Sequence, residues 1–302
     1  MTTTPGTPAS PGSSDSAGPA TAPATAVLRY TAFSRDPAGG NPAGVVLDAS
    51  GLDDAQMLAI AAEVGYSETA FVTSREERIL DVKYFSAKAE VSFCGHATVA
   101  TAVALSELLG PGDLLFRTVA GDVPVSVTAG DDGSGALRAT LTSVEPHMED
   151  ASDATVDEAL AALGWTRAEL DPGLPPRIAY AGARHLVLAA ATRERLAALD
   201  YDFERLAALM RSLDLTTLQL VWRESPEVYH VRDPFPVGGV VEDPATGAAA
   251  LAFGAYLRAL GPVPERLTLH QGDDMGRPGV LTVELRPGDP RVRVSGEAVP
   301  IA

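Results

Sequence analysis

The sequence is poor in cysteine and in basic residues, and it has no long apolar run. Cys94 is the only cysteine, so no intramolecular disulfide and no cluster of cysteine metal ligands can form. Lysine and arginine number 23 against 40 acidic residues, and a formal charge of −17 opposes binding to nucleic acid or to anionic membranes. No apolar run approaches the about 20 residues that span a bilayer, and no secretory signal pattern opens the chain. We therefore expect a cytoplasmic protein without nucleic-acid or membrane partners.

The first 26 residues differ in composition from the rest. They consist mainly of Pro, Thr, Ser, Ala and Gly and carry almost no large apolar side chain. Such a segment cannot bury enough apolar surface to offset the entropy lost on ordering. The composition predicts a disordered tail over residues 1–26 and a fold that starts at Val27.

The remainder, with 46% apolar residues over the whole chain, suits a globular protein that alternates strands and helices. The pattern predicts a strand over Val27–Phe33, a turn at Asn41–Gly44 and a second strand over Val45–Leu47. Asp53 opens a helix that Gly65 ends, and a strand follows up to Val72.

The second half of the chain repeats the order of the first. Residues 53–72 align without a gap with residues 202–221, at an offset of 149. Further along, Gly95–Thr98 aligns with Asp243–Thr246 at an offset of 148. Matches in the same order at nearly constant offsets indicate an internal duplication.

Each copy of the repeat contains an Ala-rich segment. The pattern predicts helices over 98–109 and 246–260, each preceded by a pair of strands, over 82–93 and 228–241. Both helices are apolar on nearly all sides, which is typical of helices buried on most faces.

These features predict an α+β fold of two pseudo-symmetric halves, each a barrel-like sheet wrapped around a central apolar helix. We expect an N-terminal half from residues 27–140 plus 292–302 and a C-terminal half from residues 141–291. Because ligand sites favour the junction of such units, the active site is expected in the cleft between the halves.

The start of each Ala-rich helix is a candidate anion site. Free backbone N–H groups and the positive end of the helix dipole bind carboxylates, and Gly95 and Gly247 would allow a ligand to approach the backbone. Ordinary helix capping by Asp243 and Thr246, with Pro244 in the first turn, is the alternative.

Glu68 is the candidate general base. It lies in an otherwise apolar or small stretch, where a carboxylate can have a raised pKa, and its equivalent in the repeat is Thr217. The alternative is a solvent-facing carboxylate at the start of a strand.

Three other side chains are candidates for the site. His96 could bind substrate or relay a proton, Cys94 could act as an acid/base thiol at a helix start, and Arg277 could clamp a carboxylate. Structural roles for the histidine, an inert buried cysteine and a surface ion pair for the arginine are the alternatives. The five histidines lack metal-ligand spacing, and the sequence contains no phosphate-binding loop. We expect chemistry without metal or cofactor.

Taken together, five motifs resemble the phenazine-biosynthesis isomerase (PhzF-type) family. They are Gly40–Val46, Ser67–Val72, Cys94–Thr98, Glu242–Gly247, and Gln271-Gly272 with Gly276–Pro278. The resemblance implies the diaminopimelate epimerase fold and a cofactor-independent movement of hydrogen between carbons of a small carboxylate. It also implies a homodimer.

The resemblance also implies roles for single residues. Glu68 matches the general acid/base, and His96 and Asp243 match its polar partners. The implied substrate-binding positions are Asn41, Gly95, Ala97, Gly247 and Ala248. The last of these departs from the serine common in the family, which removes a hydroxyl from the expected site.

The leading hypothesis is an isomerase of secondary metabolism that moves a proton on an unsaturated or amino-acid-derived carboxylate. An epimerase or tautomerase acting on another small acid is a second hypothesis. A binding protein that has kept the fold without the chemistry is the third.

Overall fold

The computed structural model describes residues 1–2, 25–130 and 135–302. Residues 3–24 of the predicted tail lie outside the described residues. Within the described part, no helix is long and apolar enough to cross a membrane.

Eight strands of the first half close into a barrel. Their spatial order is β1, β2, β3, β4, β6, β7, β8 and β17, and β17 returns to pair with β1. The strands are β1 (Leu28–Ala32), β2 (Asn41–Val46), β3 (Thr69–Glu76), β4 (Ile79–Phe85), β6 (Gly112–Thr118), β7 (Gly121–Ala129), β8 (Leu137–Thr142) and β17 (Val292–Pro300). A short strand, β5 (Glu90–Val91), pairs with β4.

The second half forms a similar sheet that ends on the same β17. Its order is β9, β10, β11, β12, β13, β15, β16 and β17, and within the described residues no ladder joins β9 to β17. The strands are β9 (His147–Asp150), β10 (Arg177–Tyr180), β11 (Arg184–Ala189), β12 (Thr217–Arg223), β13 (Val228–Pro234), β15 (Arg266–Gln271) and β16 (Gly279–Leu285). The short β14 (Glu242–Asp243) pairs with β13.

Six α-helices accompany the two sheets in the described part of the chain. They are α1 (Asp54–Val64), α2 (Gly95–Leu109), α3 (Asp153–Leu163), α4 (Arg193–Ala197), α5 (Phe203–Ser212) and α6 (Gly247–Leu260). Helix α2 is surrounded by the strands of the first barrel and α6 by those of the second sheet, whereas α1, α3 and α5 cover outer faces. The predicted α+β fold with a central apolar helix in each half is confirmed.

Strand pairing confirms the duplication. In the first half β2 is parallel to β3 and β4 to β6, and in the second half β11 is likewise parallel to β12 and β13 to β15. Val72 pairs with Val82, and Val221 pairs with Val231. Each residue of the first pair therefore has its equivalent in the second pair 149 positions later, which is the predicted offset. The division of the halves at 140/141 and 291/292 stays a proposal, because β17 pairs with strands of both.

Local signals produce several helix ends as predicted. Asp53 accepts a hydrogen bond from the Gln56 N–H, the Gln56 side chain accepts one from the Asp53 N–H, and Gly65 ends α1 with φ of 73°. The predicted turn at Asn41–Gly44 is wrong, because these residues begin β2. Pro42 is tolerated there because β3 pairs with β2 only from Gly44 onward.

The predicted strand pairs are shorter than expected. Of residues 228–241, only Val228–Pro234 form a long strand, followed by a 3₁₀ turn over Pro236–Gly238. Proline at positions 234 and 236 removes two backbone donors from this segment, which explains the early end of the ladder. Residues 82–93 likewise divide into the end of β4 and the two-residue β5.

Small residues let the central helix α6 lie close to its sheet. A methyl group placed on Gly254 would lie 2.7 Å from a methyl carbon of Val283 and 3.0 Å from one of Val292. The backbone of α6 at Gly254 therefore lies directly against the valine side chains of the sheet, and this close packing fixes the position of the helix N-terminus.

Candidate active site

The N-termini of the two central helices meet. A methyl group placed on Gly95 would lie 4.0 Å from the Gly247 Cα and from the Ala248 backbone nitrogen. The first N–H groups of each helix have no intrahelical partner, so both positive ends point to one place. The two helix starts, each a candidate anion site on its own, thus form one combined site.

The alignment predicted for the helix starts is wrong by one helical turn. Cys94 and Thr246 are the N-caps, so Gly95 corresponds to Gly247 and not to Asp243. Pro244 lies before α6 rather than in its first turn. A side-chain contact distant in sequence accounts for this start, because the Thr246 N–H donates to the Gln271 side chain at 2.9 Å.

Glu68 lies beside the start of α2. It precedes β3, and its side chain is 14% exposed. One carboxylate oxygen is 3.4 Å from the His96 Nε2 and 3.7 Å from the Cys94 sulfur. Burial raises the pKa of Glu68, although hydrogen bonds from Ser67 and Cys94 lower it in part. A solvent-facing carboxylate, the alternative for this residue, is therefore wrong.

Asn41 joins His96 to Asp243. Its amide nitrogen lies 2.8 Å from an Asp243 carboxylate oxygen, 3.1 Å from the Ala245 carbonyl and 3.1 Å from His96 Nδ1. The amide nitrogen only donates, so its two hydrogens are shared among these three acceptors. Sequence analysis gave Asn41 only as a substrate-binding residue, whereas the structure also makes it the bridge between the two halves.

The remaining contacts of His96 define one consistent proton arrangement. The Asn41 amide nitrogen can only donate and lies 3.1 Å from Nδ1, so Nδ1 accepts and the proton of the imidazole lies on Nε2. Nε2 then donates toward Glu68 and toward the Ser67 hydroxyl at 3.3 Å. Burial lowers the pKa of His96, which favours this neutral form.

Asp243 receives hydrogen bonds from both halves. Besides Asn41, the Thr246 hydroxyl donates to its second carboxylate oxygen at 2.7 Å, and Gln271 donates to its backbone carbonyl at 2.9 Å. Burial raises the pKa of Asp243, while His96, Thr246 and Asn41 act in the opposite direction. The chain from Glu68 through His96 and Asn41 to Asp243 thus spans the junction.

A buried ion pair holds β14 in place. Arg232 donates to both carboxylate oxygens of Glu242, at 2.9 and 2.5 Å, and also to the Leu196 and Ala197 carbonyls. Because Glu242 precedes Asp243, this pair fixes the strand that carries the candidate site residue. Sequence analysis missed Arg232, because the ten positions between it and Glu242 match neither a helical nor a strand period.

Three predicted site residues lie in settings that refine their roles. Arg277 donates to the Gly39 and Gly40 carbonyls at 2.8 and 2.9 Å, so it orders the loop before Asn41 and is not paired with an acidic side chain there. Ala97 and Ala248 lie in the first turns of α2 and α6 and supply backbone N–H groups. Ala248 and Gly95 are partly exposed, whereas Ala97 is buried.

Glu68, Cys94 and His96 also form the one group of metal-ligand type among the described residues. One donor atom from each lies within 4.8 Å of the others. Burial first, and then the Glu68 carboxylate, raise the pKa of the Cys94 thiol well above its ordinary value. A thiol must lose its proton to bind a metal, so this environment works against such use.

Comparison with known proteins gives consistent matches. The profile of the PhzC-PhzF family, described as phenazine biosynthesis-like protein, matches residues 30–302. The uncharacterized isomerase YddE of Escherichia coli K12 is 33% identical over 285 residues, which cover 90% of this chain and 95% of that protein.

Solved structures give the same picture. A phenazine biosynthesis protein of the PhzF family from Bacillus anthracis superposes with a TM-score of 0.80 and 27% identity, over 91% of this chain and 96% of the other. A hydroxyproline epimerase from Agrobacterium vitis superposes with a TM-score of 0.58 over 91% and 90% of the two chains. At 12% identity, the second likeness concerns the fold alone.

Proposed function

This chain belongs to the phenazine biosynthesis-like family of isomerases, and from that membership we propose that it moves a proton, without a cofactor, on a small unsaturated or amino-acid-derived carboxylate. A role in secondary metabolism is part of the proposal. The observation that carries it is the position of Glu68: a mostly buried carboxylate of raised pKa, 3.4 Å from a neutral histidine, where two helix N-termini meet.

The proposed reaction uses one base twice. The Glu68 carboxylate removes a proton from a carbon of the substrate, and the electron pair of that C–H bond moves into the adjacent π system. The protonated Glu68 then returns the proton to a different carbon, which restores the charge of both molecules. A raised pKa suits both steps, because the group must accept and release a proton near neutrality.

The helix ends and the polar chain stabilise the charge between these steps. Backbone N–H groups of Gly95, Ala97, Gly247 and Ala248 would bind the substrate carboxylate and the developing negative charge. His96, with its proton on Nε2, would donate to the substrate once Glu68 turns toward the reacting carbon. Asn41, which lies against His96 and donates to Asp243 of the other half, holds His96 in orientation.

The site supports a one-base mechanism over a two-base epimerase. In the two-base mechanism, a second acid/base group faces the first from the opposite helix start. The residue that corresponds to Cys94 is Thr246, whose hydroxyl is bonded to Asp243 and is too weak an acid for that role.

Incubation in deuterated water with a panel of unsaturated and amino-acid-derived carboxylic acids tests the proposal. We expect deuterium at a new carbon together with movement of a double bond, undiminished after treatment with a chelator. Deuterium at a carbon of inverted configuration without bond movement would identify an epimerase. Binding without exchange for every acid that binds would identify a binding protein, and Glu68→Gln is the matched control.

A homodimer in the cytoplasm completes the proposal. The family resemblance supports the dimer, and the acidic composition supports the location. Light scattering on the purified protein tests the first directly, with a mass of 62.6 kDa expected from two chains of 31.3 kDa.

A further inference from the structure

Four polar side chains are buried inside the sheet that surrounds α6. They are His185 on β11, Thr217 and Gln219 on β12, and Asp233 on β13, each no more than 1% exposed. Their odd-numbered neighbours on the same strands, such as Val187, belong to the core around α6, so the four side chains also face inward. No role in the proposed reaction accounts for them.

Three of these side chains form a hydrogen-bonded chain. His185 Nδ1 lies 2.8 Å from the Thr217 hydroxyl, which lies 3.0 Å from one carboxylate oxygen of Asp233. The other Asp233 oxygen, His185 Nε2 and both amide atoms of Gln219 are buried without a hydrogen-bond partner. An ionised Asp233 would therefore leave a charge with few hydrogen bonds in an apolar interior, which is costly.

Asp233 also faces the candidate site. It is the direct cross-strand partner of Asp243 in the β13–β14 ladder. Two buried carboxylates on directly paired strand positions do not both ionise. The carboxylate that accepts the stronger hydrogen bonds keeps the negative charge. Asp243 accepts from Asn41 at 2.8 Å and from Thr246 at 2.7 Å, whereas Asp233 accepts from Thr217 at 3.0 Å and shares Thr246 with Asp243.

We propose that Asp233 carries a proton at neutral pH and thereby leaves Asp243 as the one ionised carboxylate beside His96. Asp233 touches no substrate in this account and is a positioning residue. The inference rests on the proposed function for the role of Asp243, but the proton on Asp233 does not depend on any substrate.

The chain gives that proton a defined place. With the proton on Asp233, the Thr217–Asp233 hydrogen bond reverses its direction: the carboxylic acid donates to the Thr217 oxygen, the Thr217 hydroxyl donates to His185 Nδ1, and the imidazole proton lies on Nε2. Burial lowers the pKa of His185 to about 3, so the histidine is neutral. Burial, and then the charge of Asp243, raise the pKa of Asp233 well above its ordinary value.

The other groups that face Asp233 do not supply a positive charge. Glu242 on β14 adds negative charge near Asp233. The guanidinium of Arg232 donates to Glu242 and to the Leu196 and Ala197 carbonyls. Thr246 at the start of α6 donates to Asp243, and Gln271 on β15 bonds to Thr246 and Asp243.

Infrared difference spectroscopy of the full chain at pH 7 tests the proposal without a substrate. The wild type minus Asp233→Asn should show the carbonyl stretch of a protonated carboxylic acid. Thr217→Val, which removes the acceptor of that proton, should shift the band. Asp122→Asn, at an exposed strand position, is the matched control and should show no such band.

Absence of the band at pH 7 would overturn the proposal. So would a band at pH 7 that Asp243→Asn removes and Thr217→Val leaves unchanged. If Asp233→Asn fails to fold, the Thr217→Val difference spectrum decides alone, by the shift of the band or its absence. A failure here leaves the role of Glu68 standing, since neither variant alters that residue.

The pH dependence of stability gives an independent readout. With a raised pKa in the folded state, Asp233 keeps its proton where the unfolded chain has lost it, so its contribution falls as pH rises above about 4. The melting temperature of Asp233→Asn relative to the wild type should therefore rise between pH 5 and pH 8. A relative melting temperature that falls over this range would contradict the proposal.

Discussion

At the scale of single residues, the surroundings of Glu68 make it a base rather than a surface charge. The sequence placed it in an apolar stretch, and the structure adds two contacts that the stretch itself could not reveal, to His96 and Cys94. These contacts come from the start of a helix 26 or more positions later. Local composition predicted the burial, and only the tertiary fold supplied the partners.

Cys94 is also buried, but its surroundings make it a hydrogen-bond donor rather than a base. Burial and the nearby Glu68 raise the pKa of its thiol, so it is protonated at neutral pH and donates a hydrogen bond to Glu68. We expect Cys94→Ser to keep turnover within about tenfold, since a hydroxyl also donates. Steady-state rates on the substrate found in the deuterium screen check this. Abolished turnover in a folded Cys94→Ser variant would give the acid/base role to the thiol.

His185 should govern part of the acid sensitivity. Its pKa is lowered to about 3 by burial, so the unfolded chain binds a proton that the folded chain does not between pH 6.5 and about 3. Stability falls as pH drops through this window, by about 1.4 kcal/mol per pH unit.

His185→Asn should remove that part of the slope, measured by urea unfolding between pH 6 and pH 4.5. His147→Asn, at a side chain 56% exposed, is the matched control. An unchanged slope in His185→Asn would contradict a buried neutral histidine.

At the scale of elements, caps were predictable and distant contacts were not. Asp53, Gln56 and Gly65 fix α1 by bonds within a few residues, and the sequence shows them. The predicted helix over 246–260 agrees with α6, whereas α2 begins at Gly95 and not at residue 98, so the two helix starts were aligned one turn apart. The contact that holds the start of α6 comes from Gln271, 25 residues beyond Thr246, and no local signal in the sequence shows it.

Strand β14 should depend on its buried ion pair. Arg232→Met leaves the Glu242 carboxylate without its partner, and its side chain is only 4% exposed, so we expect a loss of about 3–5 kcal/mol in unfolding free energy. The double variant Arg232→Met/Glu242→Leu should recover part of this loss. Urea unfolding measures both, and a loss below about 1 kcal/mol in the single variant would show that the pair does not hold the strand.

At the scale of the whole molecule, one strand belongs to both halves. β17 closes the first barrel against β1 and β8 and also ends the second sheet against β16. Sequence analysis assigned residues 292–302 to the N-terminal half alone, and the repeat gave no sign of the pairing between β17 and β16. A shared strand couples the stability of the two halves.

We therefore expect a single cooperative unfolding transition. Both tryptophans, Trp165 and Trp222, lie in the second half, so their fluorescence reports that half, while far-ultraviolet circular dichroism reports both. The two melting curves should coincide. Two separated transitions would show that the halves unfold independently despite β17.

The proposed reaction depends on the geometry of the whole molecule, because the polar chain from Glu68 to Asp243 crosses from one half to the other. Its base is a single group on one side of the junction. The side chain of a glutamine has the same size and hydrogen-bonding reach at that position, but it cannot accept the proton.

Turnover of Glu68→Gln on the substrate found in the deuterium screen is the most direct test of the central claim. The account predicts substrate binding close to that of the wild type and a turnover about 10²–10⁴-fold lower, the usual size of a general acid–base contribution. Near-normal turnover in a folded Glu68→Gln variant would contradict it, because the proton would then be moved by another group.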